Sequence, residues 1–130
     1  VATILFVDDS ASVRRMAAGA LRHLGHEVVE ADGARAALSS APAKADLVFT
    51  DLSLPDMDTV EFITRLRTMP GFRFIPVIML ANPAQASEVQ EGMAAGATGF
   101  ILKPYGPGEI VSVAGRLLRP GGSASAAKAD

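Results

Sequence analysis

Four residues whose types could do chemistry each stand directly after an apolar run. Asp8 and Asp9 follow "TILFV", Asp51 follows "LVFT", and Lys103 follows "GFIL". Lysine is scarce here: nine of the twelve basic residues are arginine, and only Lys44, Lys103 and Lys128 are lysine. If the runs are parallel strands, their carboxyl ends share one edge of the sheet, where ligands of open α/β sheets bind. Three acids and one lysine would then converge. Carboxylates at ~4 Å repel by about 4 kcal/mol per pair at an effective dielectric of about 20. Such a cluster takes up protons or holds a cation. Oxygen-only donors suit a hard divalent ion, and Mg²⁺ is the expected cofactor. The lysine supplies a point charge for a phosphoryl group, and Asp51 is a candidate nucleophile that would form an aspartyl phosphate.

The elements that must position these residues are legible as alternating patterns. Strands are expected at Thr3 to Val7, Glu27 to Ala31, Asp46 to Thr50, Ile75 to Leu80 and Gly99 to Leu102. The first, third and fourth are near-continuous apolar stretches, as strands covered on both faces should be. In the first helix Val13, Met16, Ala17, Ala20, Leu21 and Leu24 form an apolar face opposite Arg15, Ala18 and Arg22, with Ser10 or Ser12 as cap and Gly25 as stop. A short alanine-rich helix spans about Ala34 to Ser40. The third opens at Asp58 with Glu61 at capping-box spacing and continues through Ile63 and Leu66. The fourth runs from Pro83 to Ala95, stopped by Gly96. The fifth carries Ile110, Val113, Ala114, Leu117 and Leu118 and ends at Pro120. Five strand–helix alternations predict an α/β fold: a doubly wound, five-stranded parallel sheet with helices on both faces.

Composition sets outer limits. The 130 residues suffice for one domain, expected over 1–119, with "PGGSASAAKAD" at 120–130 as flexible tail or linker. Net charge is −2, too near neutral for a nucleic-acid binder. There is no cysteine, hence no disulfide and no thiolate metal site. No apolar run reaches the roughly 18 residues of a membrane span, and no basic leader precedes the first strand. A cytoplasmic protein without nucleic-acid or membrane partners is expected.

At this point the chain resembles the receiver domains of bacterial two-component response regulators, over roughly Thr3 to Arg119. The motifs are "FVDDS" (6–10), "DLSLPDMD" (51–58), "PVIML" (76–80) and "GFILKP" (99–104), in this order. The resemblance implies a flavodoxin-like receiver fold and an aspartate that accepts a phosphoryl group from a histidine kinase or phosphotransfer protein. By position, Asp51 would be the phosphoacceptor and Asp9 the main metal-binding acid, with Asp8 holding metal-bound water. The carbonyl of Ser53 would be a further metal ligand and Lys103 the phosphoryl contact. Phe100 matches the switch aromatic. A downstream protein would dock on the face of helix 4, strand 5 and helix 5, near Phe100 and Tyr105. The domain would be a stand-alone receiver or one cut from a longer chain.

Two positions depart from the family pattern. Ala81 stands where Thr or Ser usually ends the fourth strand, and Thr59 where glycine usually follows "MD". A hydrogen bond to a charged group is worth about 1.5–3 kcal/mol, the size of a typical allosteric coupling, so switching would weaken roughly 10- to 150-fold. The amide of Asn82 is an accessory candidate to replace that hydroxyl. Its structural role would be N-cap, with Pro83 at the first helical position and Gln85 at the third.

Asp58 reads as a helix cap, Asp56 as a solvated loop acid, and His23 and His26 as surface residues. Three functions compete. The first is a phosphorylation-controlled signalling module, which modifies only itself and is not a turnover enzyme. The second is a receiver without the switch, serving as phosphate sink or phosphorylation-uncoupled binding scaffold. The third is an aspartate-nucleophile phosphatase, disfavoured because that family carries Asp-x-Asp on its first strand. A nucleotide or flavin site is disfavoured by two acids where glycines would be needed.

Overall fold

The structure is a computed structural model and describes residues 1–119; the expected tail at 120–130 lies outside the described residues. In chain order the elements are β1 (Thr3–Val7), α1 (Ala11–His23), β2 (Glu27–Ala31), α2 (Ala34–Ser40), β3 (Leu47–Asp51), α3 (Thr59–Thr68), β4 (Val77–Ala81), α4 (Ala86–Ala95), β5 (Gly99–Leu102) and α5 (Pro107–Leu118). The strands form one parallel sheet in the order β2-β1-β3-β4-β5. The chain therefore steps outward from β1 to β2 and returns past β1 to β3. That reversal opens the crevice in which doubly wound sheets bind ligands.

Alternation along the strands divides the core between the two faces. Ile4, Phe6, Phe49, Ile78 and Ile101 pack with α1 and α5, where Leu21, Ile110 and Val113 are fully buried. Leu5, Val7, Val48 and Val77 meet Phe62, Leu66 and Phe72 on the other face. Met79 and Ala81 pack beside them with Ile63 and Val89. Each such Val, Leu, Ile, Phe or Met side chain contributes about 1.5–3 kcal/mol by leaving water. Helix α4 lies so close to β4 that a methyl group at Gly92 would run into the Met79 sulfur, and Gly96 ends the helix at φ 122°.

Several expectations need correction. Helix α1 buries Ala17, Ala18 and Leu21 but leaves Met16 39% and Leu24 54% exposed. The small Ala18 faces the core, Met16 turns to a cleft at the sheet edge, and Leu24 is already the C-cap. The Ser10 side chain makes no cap bond; its backbone N–H donates instead to Asp8 Oδ1 at 2.9 Å. Asp58 caps α3 through Val60 N–H, but Glu61 pairs with Arg65 at 2.6 Å instead of closing a capping box. Strand β4 begins after Pro76, which has no N–H to donate, and includes Ala81. The expected fourth helix is divided, a 3₁₀ turn at Pro83–Gln85 preceding α4. Helix α5 ends at Leu118.

Asp56 is not merely a solvated acid. Its two carboxylate oxygens accept from Ala34 and Arg35 N–H, both at 2.9 Å, so it caps α2 from the β3–α3 loop. Those bonds hold its pKa below the ordinary aspartate value.

Arg67 performs a related task at the opposite edge. Its guanidinium donates to Phe72 O (2.9 Å), Ile75 O (2.6 Å) and Gly96 O (2.7 and 3.1 Å), tying α3 to the ends of α4 and β4. Burial lowers its pKa, and these carbonyls, with the Thr98 hydroxyl at 3.4 Å, replace the lost hydration. Arg67→Ala is expected to cost about 3 kcal/mol or more, because charge-assisted bonds are worth about 1.5–3 kcal/mol and three carbonyls lose their donor. Urea unfolding followed by far-UV circular dichroism measures it; an unchanged midpoint would refute the strut.

Candidate functional site

Register brings the acids together. Val7 pairs with Thr50, so Asp8 and Asp51 emerge at one level from adjacent strands β1 and β3. Asp51 is the last paired residue of β3, opposite Leu80. Carboxylate oxygens of Asp8, Asp9 and Asp51 all lie within 4.8 Å of one another. Asp8 is 2% exposed and the Asp51 side chain 3%, whereas Asp9 faces solvent.

Lys103 comes from the far side of β4. Its backbone N–H donates to Ala81 O at 2.7 Å, anchoring the chain where β5 ends. Its Nζ reaches back to Asp51 Oδ1 at 2.8 Å, and the side chain stays 30% exposed. Ser53 N–H also turns toward Asp51 Oδ1, at 3.3 Å. Asp8 is held at both ends: Oδ1 accepts from Ser10 N–H, and its carbonyl accepts from Arg14 at 2.8 Å. Arg14 is in turn fixed by Glu30 at 3.1 Å.

Charge is not balanced in this cluster. Burial, followed by the charges of Asp51 and Asp9, pushes the Asp8 pKa up, against the opposing Ser10 N–H and Lys103. At the 4.8 Å limit, two buried carboxylates repel by about 3 kcal/mol at an effective dielectric of about 20. One lysine cannot neutralise three acids. An oxygen-only donor set with residual negative charge fits a hard divalent cation.

The acids line a cleft of about 420 Å³ that also includes Lys103, Met16 and Tyr105. Tyr105, expected on the docking face, thus belongs to the acid cleft. The available signal was its two-residue offset from Lys103, together with its being the only tyrosine in the chain.

Around the cleft the remaining singled-out residues take definite places. Ala81 is fully buried in an apolar cluster with Leu52, Met79 and Val89, beside half-buried Phe100. Phe100 lines a separate groove of about 390 Å³ with Asn82, Pro83 and Val89. Asn82 caps the 3₁₀ turn: its Oδ1 accepts from Ala84 N–H at 3.0 Å, while Gln85 Oε1 accepts from the Asn82 N–H at 2.9 Å. The Gln85 amide then donates to Ser53 Oγ at 2.8 Å, bridging the turn to the β3–α3 loop. Thr59 opens α3, and its hydroxyl donates to Leu52 O at 3.1 Å. His26 accepts from Ala2 N–H at 3.3 Å, outside the cleft, and His23 is exposed. Among the described residues, no helix is long and apolar enough to cross a membrane.

Comparison with known proteins agrees with this geometry. The profile of the response regulator receiver domain matches residues 4–114. The KDP operon transcriptional regulatory protein KdpE of Escherichia coli is 38% identical over 108 residues, covering 82% of this chain and 47% of KdpE. The chain spans about half the length of such regulators, PhoB of Pseudomonas aeruginosa included. Chemotaxis protein CheY1 of Helicobacter pylori is 34% identical over 107 residues, covering 80% of this chain and 86% of CheY1. The chemotaxis response regulator CheY4 of Vibrio cholerae superposes with a TM-score of 0.83 at 36% identity, covering 91% of this chain and 99% of CheY4. Five parallel strands, an acid crevice at the chain reversal and a lysine on Asp51 accompany that match, and the chain belongs to the response regulator receiver domain family.

Proposed function

We infer that this domain is the phosphoacceptor of a two-component system. A phosphoryl group passes from the phosphohistidine of a kinase or phosphotransfer protein to Asp51. An Asp51 carboxylate oxygen forms the new P–O bond as the donor's P–N bond breaks, and the leaving imidazole takes up a proton. The observation that carries this reading is the buried Asp51 carboxylate, clamped by Lys103 at 2.8 Å beside Asp8 and Asp9. Asp8, Asp9 and Asp51, with the Ser53 carbonyl, are the residues that would hold Mg²⁺, which neutralises phosphoryl charge when bound. Lys103 stabilises the charge growing on the phosphoryl oxygens, and the strand ends hold all four groups without reorganisation. Chemistry is confined to the domain's own aspartate, and no turnover of phosphate monoesters is expected. Output passes through protein contacts at the face of α4, β5 and α5 in the cytoplasm. Incubation with Mg²⁺ and acetyl phosphate, followed by intact-mass measurement, should reveal one added phosphoryl group; its absence would defeat the reading.

A second reading concerns the readout. Ala81 is fully buried and offers no hydroxyl where the family usually has Thr or Ser, which favours a phosphate sink or uncoupled scaffold. The Asn82 side chain is engaged in its cap and is a poor substitute. Phosphorylation is therefore expected to leave Phe100 little changed. Ala81→Ser adds one oxygen and should strengthen the coupling roughly 10-fold or more. NMR spectra of Phe100 with and without acetyl phosphate test this. A full shift of Phe100 in the unmodified protein would show that Ala81 does not uncouple the switch.

A further inference from the structure

The Tyr105 hydroxyl is a polar group without an evident role in packing. The ring packs against the core beneath α5, a task phenylalanine would perform equally well. The oxygen, however, is buried and makes no hydrogen bond of regular geometry, the Asp8 carboxylate standing only within looser reach. It stands in the acid cleft with Asp8, Asp51 and Lys103. A buried donor left unpaired is destabilising, so a phenol at this place gains from an acceptor in any state of the protein that offers one.

The acceptor is identified by the lining of the cleft, whose acceptors are the carboxylates of Asp8, Asp9 and Asp51. Burial first, and then the charges of Asp8 and Asp51, push the phenol's pKa far above its ordinary value. The group is therefore a neutral donor throughout the physiological range. Asp8 is the acid within hydrogen-bonding reach of the hydroxyl, whereas Asp51 acts on it through charge alone and its Oδ1 already accepts from Lys103 and Ser53. For Asp8 the Ser10 N–H donates to Oδ1 alone. We propose that Tyr105 is a positioning residue that donates to the Asp8 carboxylate and holds it toward a divalent cation in the acid cleft. Donors behind a metal-binding carboxylate orient it, and their loss commonly weakens metal binding 10- to 100-fold. The proposal rests on the reading of the cluster as a Mg²⁺ site.

The composition provides a direct probe. Tyr105 is the only tyrosine and there is no tryptophan, so near-ultraviolet tyrosine absorbance and emission report this one ring. Mg²⁺ alone, without phosphoryl donor, is titrated into the protein and into Tyr105→Phe, with affinity read by calorimetry. Tyrosine emission is followed in parallel. The expected results are a saturable tyrosine signal that tracks Mg²⁺ binding and about 10-fold weaker binding by Tyr105→Phe. Without Mg²⁺ the variant should melt at or above the unmodified protein, since its orphan donor is gone. That pattern separates positioning from a structural defect, which would lower the melting point instead. Equal Mg²⁺ affinities, or a flat tyrosine signal during binding, would overturn the role of Tyr105 and leave the metal site standing. Failure of the unmodified protein to bind Mg²⁺ would overturn both.

Discussion

Asp51→Asn is expected to abolish the phosphoryl adduct formed with Mg²⁺ and acetyl phosphate. An amide has nearly the shape of the carboxylate but lacks the anionic oxygen that attacks phosphorus. The change should also spare the fold. The substituted amide would still offer a carbonyl oxygen to Lys103, and one of the two buried, mutually repelling acids would be gone. Metal-free Asp51→Asn should therefore melt at or above the unmodified protein, so lost phosphorylation could not be blamed on unfolding. Intact mass with hydroxylamine treatment, which cleaves acyl phosphates, provides the measurement. A hydroxylamine-labile adduct on Asp51→Asn would move the acceptor to another acid of the cleft, with Asp8 first in line. An adduct resistant to hydroxylamine would point to Ser53, whose exposed hydroxyl lies two residues away.

What the sequence reveals depends on how far apart the interacting groups lie. Apolar runs such as Thr3–Val7 and helical spacing such as Ile110, Val113 and Ala114 are local patterns, and the corresponding elements stand at the expected places. Convergence of Asp8, Asp9, Asp51 and Lys103 was legible because parallel strands must end at one edge. The finer site was not. Nothing local tells Asp56 that its partners are Ala34 and Arg35, on a helix two elements earlier. Nor does spacing alone place Tyr105 in the acid cleft, since the residues after β5 follow no strand period. Helix α1 misleads through size: alanine reads as neutral in a pattern, yet Ala18 is buried because a small side chain lets two surfaces approach. Burial of Ala81 behaves likewise. Its position in the chain was legible, but its full enclosure by Leu52, Met79 and Val89 depends on tertiary packing.

Lys103→Ala is expected to move phosphorylation and metal affinity in opposite directions. Loss of the ammonium removes a preorganised charge from the transferring phosphoryl group, an effect worth about 10²–10³-fold in rate at comparable sites. The same ammonium sits 2.8 Å from Asp51 Oδ1, where it competes with any cation for that oxygen. Without it the cleft holds three acids and no counter-charge, so Mg²⁺ should bind more tightly while acetyl phosphate modifies Asp51 more slowly. Metal-free stability should fall. Removing one partner of a buried pair costs about 3–5 kcal/mol, and the partial exposure of Lys103 reduces this to roughly 1–3 kcal/mol. The pH dependence has a definite sign. Lys103 is one of two groups that hold the Asp8 pKa down, so its loss raises that pKa further above 3.8. An acid whose pKa is higher in the folded state binds more protons folded than unfolded, and its stabilising effect fades as pH rises through that range. Metal-free Lys103→Ala should therefore gain stability on acidification toward about pH 4 more steeply than the unmodified protein, and Mg²⁺ should suppress the difference. Calorimetric Mg²⁺ titration, acetyl-phosphate kinetics and melting curves across pH decide the matter. Weaker Mg²⁺ binding by Lys103→Ala would mean that the lysine helps build the cation site by fixing Asp51, and the competitive relation argued from the 2.8 Å contact would be wrong.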